Sequence, residues 1–187
     1  MPENIQTIIK NILRDIQVEL TDEFDQNFER QAFFSEKWQR RKSPGRNEGR
    51  AILTNTGQLR RSIKSQTTDS SITFFSDLPY AAIHNEGGDI RVTPRMKKFF
   101  WHKYYEATGS FGRKKDGKRR NDKRTIKLSE EAQFWKFLAL KKTGTTIHIP
   151  RRQFLGTSPV LEKTVQEIIE ENINDYLEQA INIQIDR

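Results

Sequence analysis

The sequence predicts an α+β fold: a small antiparallel sheet flanked by long N- and C-terminal helices, with a helical insertion. Three observations predict it. Both ends of the 187-residue chain carry apolar residues at steps of three and four, the pattern of an amphipathic helix. Short alternating segments separated by turn residues occupy the middle. Residues 95–144 then interrupt that middle with two helical runs joined by a basic stretch.

Residues 1–34 hold the first helix, read most clearly over 3–32. Ile5, Ile8, Ile9, Ile12, Leu13, Ile16, Leu20, Phe24 and Phe28 form one stripe, with neither Gly nor Pro between Glu3 and Ala32. At ~1.5 Å per residue such a helix runs to roughly 45 Å. That is longer than one small core covers, so part of the stripe is expected against a neighbour or a second long helix. Residues 35–51 lose the period and collect Pro44, Gly45 and Gly49. They read as an extended basic arm with Trp38 as its only anchor.

Residues 52–94 and 145–187 are expected to form the core of a single domain. Thr56 is placed to cap a short turn, TGQLRRSI, that delivers Leu59 and Ile63 inward. Ile63–Thr67 and Ile72–Ser76, joined by a polar DSS tip, read as an antiparallel hairpin. Pro79 opens a short helix, PYAAIHNE, which ends at Gly87-Gly88, and Asp89–Thr93 alternates like a strand. In the insertion, the first helix carries Met96, Phe99, Phe100 and Tyr104 on one side, and the second carries Phe134, Phe137, Leu138 and Lys141. Between them GSFGRKKDGKRRNDKR has almost nothing to bury, so mobility is expected unless a partner holds it. Thr145–Ile149 reads as a strand closing on Pro150. Ser158 then caps the last helix, with Pro159 at its first position. Leu161, Val165, Ile168, Ile169, Ile173, Leu177 and Ile181 give it a second long stripe.

Charge divides the chain unevenly. Lys and Arg number 33 against 25 Asp and Glu, a net +8. Residues 107–127 hold nine cations (Arg113, Lys114, Lys115, Lys118, Arg119, Arg120, Lys123, Arg124 and Lys127) against Asp116 and Asp122, a net +7. Residues 35–50 carry a net +4, and residues 159–187 a net −5. An acidic surface on one copy facing a basic surface on another suits ordered self-assembly. A basic loop equally suits phosphate, with Arg113, Lys114, Lys115, Lys118, Arg119, Arg120, Lys123 and Arg124 as the partner or DNA contacts. The plainer reading is a solvated loop. The chain has no cysteine, which removes disulfide scaffolds, zinc–cysteine sites and thiol catalysis. No apolar run approaches the ~20 residues of a membrane span. The N-terminus lacks the basic-then-apolar order of a secretory signal. An intracellular or particle-bound soluble protein is the expectation.

Catalytic patterns are missing from the residues. His84, His102 and His148 lie far apart, and only His84 has a nearby carboxylate, Glu86. No pair of histidines stands at i, i+4 on a helix, so no metal or cofactor is expected. Gly87-Gly88 belongs to neither a GxxxxGK nor a GxGxxG pattern, and no serine sits in an elbow motif. His84-Asn85 carries a faint nuclease signature without the second histidine it needs. The run KKFFWHKYY interleaves cations and aromatics, but at helical spacing the aromatics gather on one side, as in a packed helix.

Three segments in order, ILTNTGQLRRSI (52–63), ITFFSDLPYAAIHNEGG (72–88) and IHIPRRQFLGTSP (147–159), resemble the phage virion morphogenesis family, the Mu-like tail-completion proteins. The motif positions are Thr56, Gly57, Leu59, Arg60, Ser62 and Ile63, then Tyr80, Ala81, His84, Gly87 and Gly88, then Arg152, Phe154, Leu155 and Gly156. The resemblance implies a structural protein of the head–tail neck or tail end, a tail-completion or connector protein. It implies a homo-oligomeric ring, no catalysis and no cofactor. The motif residues would then turn the chain and seal the core: Tyr80 and Ala81 pack the short helix, Phe154 and Leu155 close the start of the last one, and Gly156 allows close approach. The implied partners are further copies of itself, other neck, portal-side or tail-tube proteins, and DNA passing through the channel, with no membrane. The implied location is the virion neck or tail, and the host cytoplasm during assembly. The alternative is a nucleic-acid-binding protein that uses the basic loop 107–127. A metal-dependent nuclease built on His84 is a third.

Overall fold

A computed structural model describes residues 5–41, 50–108 and 130–185, with side chains in the last helix followed to Ile181. The basic stretch with Arg113, Lys114, Lys115, Lys118, Arg119, Arg120, Lys123 and Arg124 lies outside the described residues, as do residues 42–49 of the arm. The chain divides into two compact units. One comprises Met1–Trp38, Ala51–Glu86 and Arg151–Arg187, and the other Gln39–Arg50 and Gly87–Pro150.

In the first unit, helix α1 runs Ile5–Arg30. Its stripe is buried only in the C-terminal half, at Ile16, Leu20, Phe24 and Phe28, while Ile5 stays 68% exposed. Gln31 ends the helix in the left-handed region, φ 54°. Such a residue costs roughly 1–2 kcal/mol. Here its amide side chain offsets that by bonding both backbone groups of Ile52. A short hairpin follows, β1 (Ala32–Phe33) with β2 (Glu36–Lys37). This corrects the expectation that residues 35–51 are extended arm from the outset: Gln31 O accepts from Trp38 N at 2.9 Å and closes the turn. Trp38 is the anchor the sequence indicated. Its ring meets Phe28 edge to face at 5.5 Å, and its Nε1 donates to Gln153 O at 2.6 Å.

Helix α2 (Gln58–Arg61) is a single turn. Gly57, not Thr56, occupies its N-cap, at φ 66°. Strands β3 (Ile63–Thr67) and β4 (Ile72–Ser76) form the expected antiparallel hairpin, with Ile63 opposite Ser76 and Thr67 opposite Ile72. Helix α3 spans Ala81–Glu86, starting two residues after the Pro79 expected to open it, where Ala81 N bonds Leu78 O. Helix α6 spans Pro159–Ile185. Ser158 Oγ accepts from Leu161 N at 3.1 Å, the predicted cap.

The core of this unit has two parts. Ile16, Leu20, Phe24, Phe33, Phe34 and Leu161 form one, with Phe74 and Val165, Ile168 and Ile169 of α6 against it. Phe28, Trp38, Ile52, Leu59, Ala81 and Phe154 form the other. Ile63 and Leu155 touch both. Of the two expected partners for the α1 stripe, a neighbour or a second long helix, the second is present as α6.

In the second unit, β5 (Gly88–Arg91) pairs antiparallel with β6 (Thr146–Ile149), with Asp89 opposite His148. The β-structure is thus three two-stranded ladders among the described residues. Helix α4 (Pro94–Ala107) is capped by Thr93, whose side chain accepts from Met96 N, and it packs on α5 (Glu130–Leu140). Phe100 stacks on Trp135 at 6.2 Å between centroids. The side of α5 turned inward differs from the expected one. Ala132 and Ala139 are its buried residues, while Phe137 is 62% exposed beneath Lys141. Small residues let the two helices approach, and the bulky ring stays outside.

Candidate functional site

The three motif segments meet in one place in the first unit. Leu59 from the first, Ala81 from the second and Phe154 from the third are buried together around Phe28. Phe154, 1% exposed, lies 5.3 Å from the Phe28 ring. The segments are tied by polar groups inside this cluster. Asn85 Oδ1 accepts from the backbone N–H of both Phe154 and Leu155, at 2.9 Å each. His84 O accepts from Arg152 N at 2.8 Å. Asn27, fully buried on α1, accepts from Phe34 N at 2.9 Å and donates to Phe154 O at 3.4 Å.

Of these residues, Asn27 was not singled out from the sequence, and Asn85 was noted only as the neighbour of His84. A polar residue between Phe24 and Phe28 on an apolar stripe was the available signal for Asn27, because buried amides are retained only where they are bonded. Asn85 carried no such signal beyond its place beside His84.

The remaining motif positions have varied surroundings. Ser62 is buried, and its Oγ bonds Leu59 O and Ser76 Oγ, each at 2.7 Å. Thr56 Oγ1 lies 3.4 Å from Gln58 N, a long contact that leaves Gly57 to turn the chain. A Cβ on Gly57 would stand 2.6 Å from Arg61 Nη1. Arg60 reaches back to α1, bonding Asp25 through two nitrogens and Glu29 at 2.8 Å. Those hydrogen bonds hold the Asp25 carboxyl below its usual range and push the Arg60 guanidinium higher. Tyr80 is exposed, its OH 3.5 Å from Gln58 Oε1, so it lies outside the cluster that holds Ala81. Gly156 is exposed at φ 140°. Gly87 and Gly88 belong to the second unit, where Gly88 begins β5.

His84 is half-buried, and its Nδ1 is sealed from solvent without a hydrogen-bond partner. Burial, and then the Arg152 charge, lower its pKa from the ordinary histidine value. Its ring lies edge to face with that of Tyr80, 6.1 Å between centroids. His148 Nδ1 lies 3.0 Å from Asp89 Oδ1 on the exposed edge of the β5–β6 ladder. No group of three or more potential metal ligands occurs among the described residues. No helix among them is long and apolar enough to cross a membrane. Two surface clefts open beside α1. One, about 930 Å³, lies between its N-terminal half and the Thr67–Asp69 tip, and one, about 620 Å³, lies beside Asp25 and Arg60.

What converges, then, is a sealed junction of backbone hydrogen bonds and aromatic packing. Residues 4–174 match the phage virion morphogenesis family. The chain belongs to that family. Comparison with curated proteins and with solved structures returned no match. Membership in the virion morphogenesis family makes the role structural, in building the virion.

Proposed function

We propose that this virion morphogenesis protein is a component of the head–tail neck or tail end, a tail-completion or connector protein that acts as a homo-oligomeric ring. The observation that carries the reading is the family match across residues 4–174. The separation of charge supports it. A net −5 on the last helix and a net +7 on residues 107–127 let unlike surfaces of successive copies meet, while like surfaces repel. The chain works by contact rather than catalysis. Its partners are further copies, portal-side or tail-tube proteins, and the DNA that a neck channel must pass.

Mass photometry of the purified chain, with and without short duplex DNA at low and moderate salt, tests this. A discrete ring-sized oligomer indifferent to DNA is expected. A monomer at micromolar concentration that also fails to bind portal or tail-tube proteins would refute it. A monomer that shifts only with DNA would favour the nucleic-acid reading of the basic loop. The logarithm of its affinity would then fall against the logarithm of salt concentration with a slope of roughly 0.9 per neutralised phosphate. Incubation of nucleic acid with the chain and with His84→Ala is expected to give no cleavage in either case.

A further inference from the structure

Ile173, Leu177 and Ile181 on α6 are 43%, 49% and 55% exposed. They follow Asn172, Tyr176 and Ala180, the half-buried residues of this part of the helix, by one residue each. They therefore stand roughly 100° further round the helix. The apolar stripe that begins at Leu161 against α1 advances by four residues at a time, and each such step turns it roughly 40°. By its last three members it has left α1 and forms a separate outward face about 12 Å long. Glu170 lies in line with that face and Glu171 and Glu178 stand roughly 100–120° round the helix from its centre, all three exposed, and α6 as a whole sets six carboxylates against Lys163. A face of this kind does not pair with its own copy across a two-fold axis, because like charges would be brought together.

The described part of the second unit has the opposite character. Helix α4 carries Arg95, Lys97, Lys98 and Lys103 against Glu106. Its Phe99 is half exposed, with Lys103 Nζ 6.0 Å from the ring centroid. Arg95, Lys97 and Lys98 enter no ion pair among the described residues. One chain thus presents an acidic helix with an aliphatic face and a basic helix with an aromatic one.

We propose that the Ile173–Leu177–Ile181 face of α6 docks onto α4 of a second copy of this chain, the acids around the one meeting the cations of the other. This rests on the assembly reading above and names the surfaces that carry it. Such a contact is heterologous, and repeated from copy to copy it closes a ring or extends a filament.

Two charge-reversed proteins test it. One carries Glu170→Lys, Glu171→Lys and Glu178→Lys, and the other carries Arg95→Glu and Lys98→Glu. Each alone is expected to self-associate at least tenfold more weakly than the wild type, with its circular dichroism and melting temperature retained because all the positions are at the surface. Mixed in equal amounts, they are expected to regain the wild-type size, since each reversed face meets its reversed partner. Leu177→Gln is expected to weaken association without altering the fold. Four outcomes overturn the proposal. A wild type that stays monomeric removes the assembly reading and this inference with it. An oligomeric wild type unaffected by the α6 reversal removes this inference alone. Dissociation without recovery on mixing excludes α4 as the occupant. Loss of the folded circular dichroism signal in Leu177→Gln would show the face to be internal packing.

Discussion

At Asn85 a single amide oxygen accepts from two consecutive backbone N–H groups, Phe154 and Leu155, at 2.9 Å each. The Phe154 ring beside it is almost wholly buried. The two groups act differently and can be separated by mutation. Phe154→Ala opens a cavity against Phe28 and is expected to cost about 3–5 kcal/mol. Asn85→Ala leaves two donors without their acceptor and is expected to cost about 1–3 kcal/mol. Urea unfolding of both variants checks the order. His84 gives a pH signature. Because burial and Arg152 lower its pKa in the folded chain from 6.5, the unfolded chain takes up a proton first as pH falls. The stability that follows from neutral His84 is complete above about pH 6.5 and is lost as pH falls toward the lowered folded value. Melting temperatures at pH 7 and pH 5.5 are expected to differ less in His84→Gln than in the wild type. Asp25 and Asp77, whose pKa values are lowered from 3.8, lose their contributions only in more acid solution.

At the scale of elements, helix ends decide where the motif segments point. Ser158 fixes the start of α6 by accepting from Leu161 N, and Leu161 is the residue through which α6 enters the core. Ser158→Ala is expected to cost about 1 kcal/mol. At Gly57, φ 66° places the chain in the left-handed region just before α2, so Gly57→Ala is expected to cost roughly 1–2 kcal/mol. Thermal unfolding measures both. A Gly57→Ala protein as stable as the wild type would mean that the turn relaxes to another conformation. Helix α1 shows how far periodicity reaches. Its stripe was visible along its whole length, but only the half that meets α6 and the β3–β4 hairpin is buried.

At the scale of the molecule, the chain forms two compact units, the second made of Gln39–Arg50 and Gly87–Pro150, whereas the sequence reads as one domain over residues 1–187. One cooperative unfolding transition is the expected behaviour, with calorimetric and van't Hoff enthalpies equal. Two transitions, one of them lost on removing residues 95–144, would make the insertion an independent folding unit. If the chain assembles as proposed, raising salt is expected to weaken self-association, because the charges proposed to face one another between copies would be screened.

The sequence alone determined the long terminal helices, the β3–β4 hairpin, the Ser158 cap and the family. Each of these rests on local information: the period of apolar residues, alternation about a polar tip, a capping side chain and three short motifs in order. Tertiary structure alone decided that Gly57 rather than Thr56 sits at the N-cap of α2, that Ala132 and Ala139 rather than Phe137 face inward on α5, and that the second half of the α6 stripe faces outward. It also decided that Asn85 ties the second motif segment to the third and that Asn27 ties α1 to the third. These depend on which distant element comes to lie opposite a residue. A pattern of apolar spacing states which side chains prefer burial, but only the packed neighbour determines which of them obtain it.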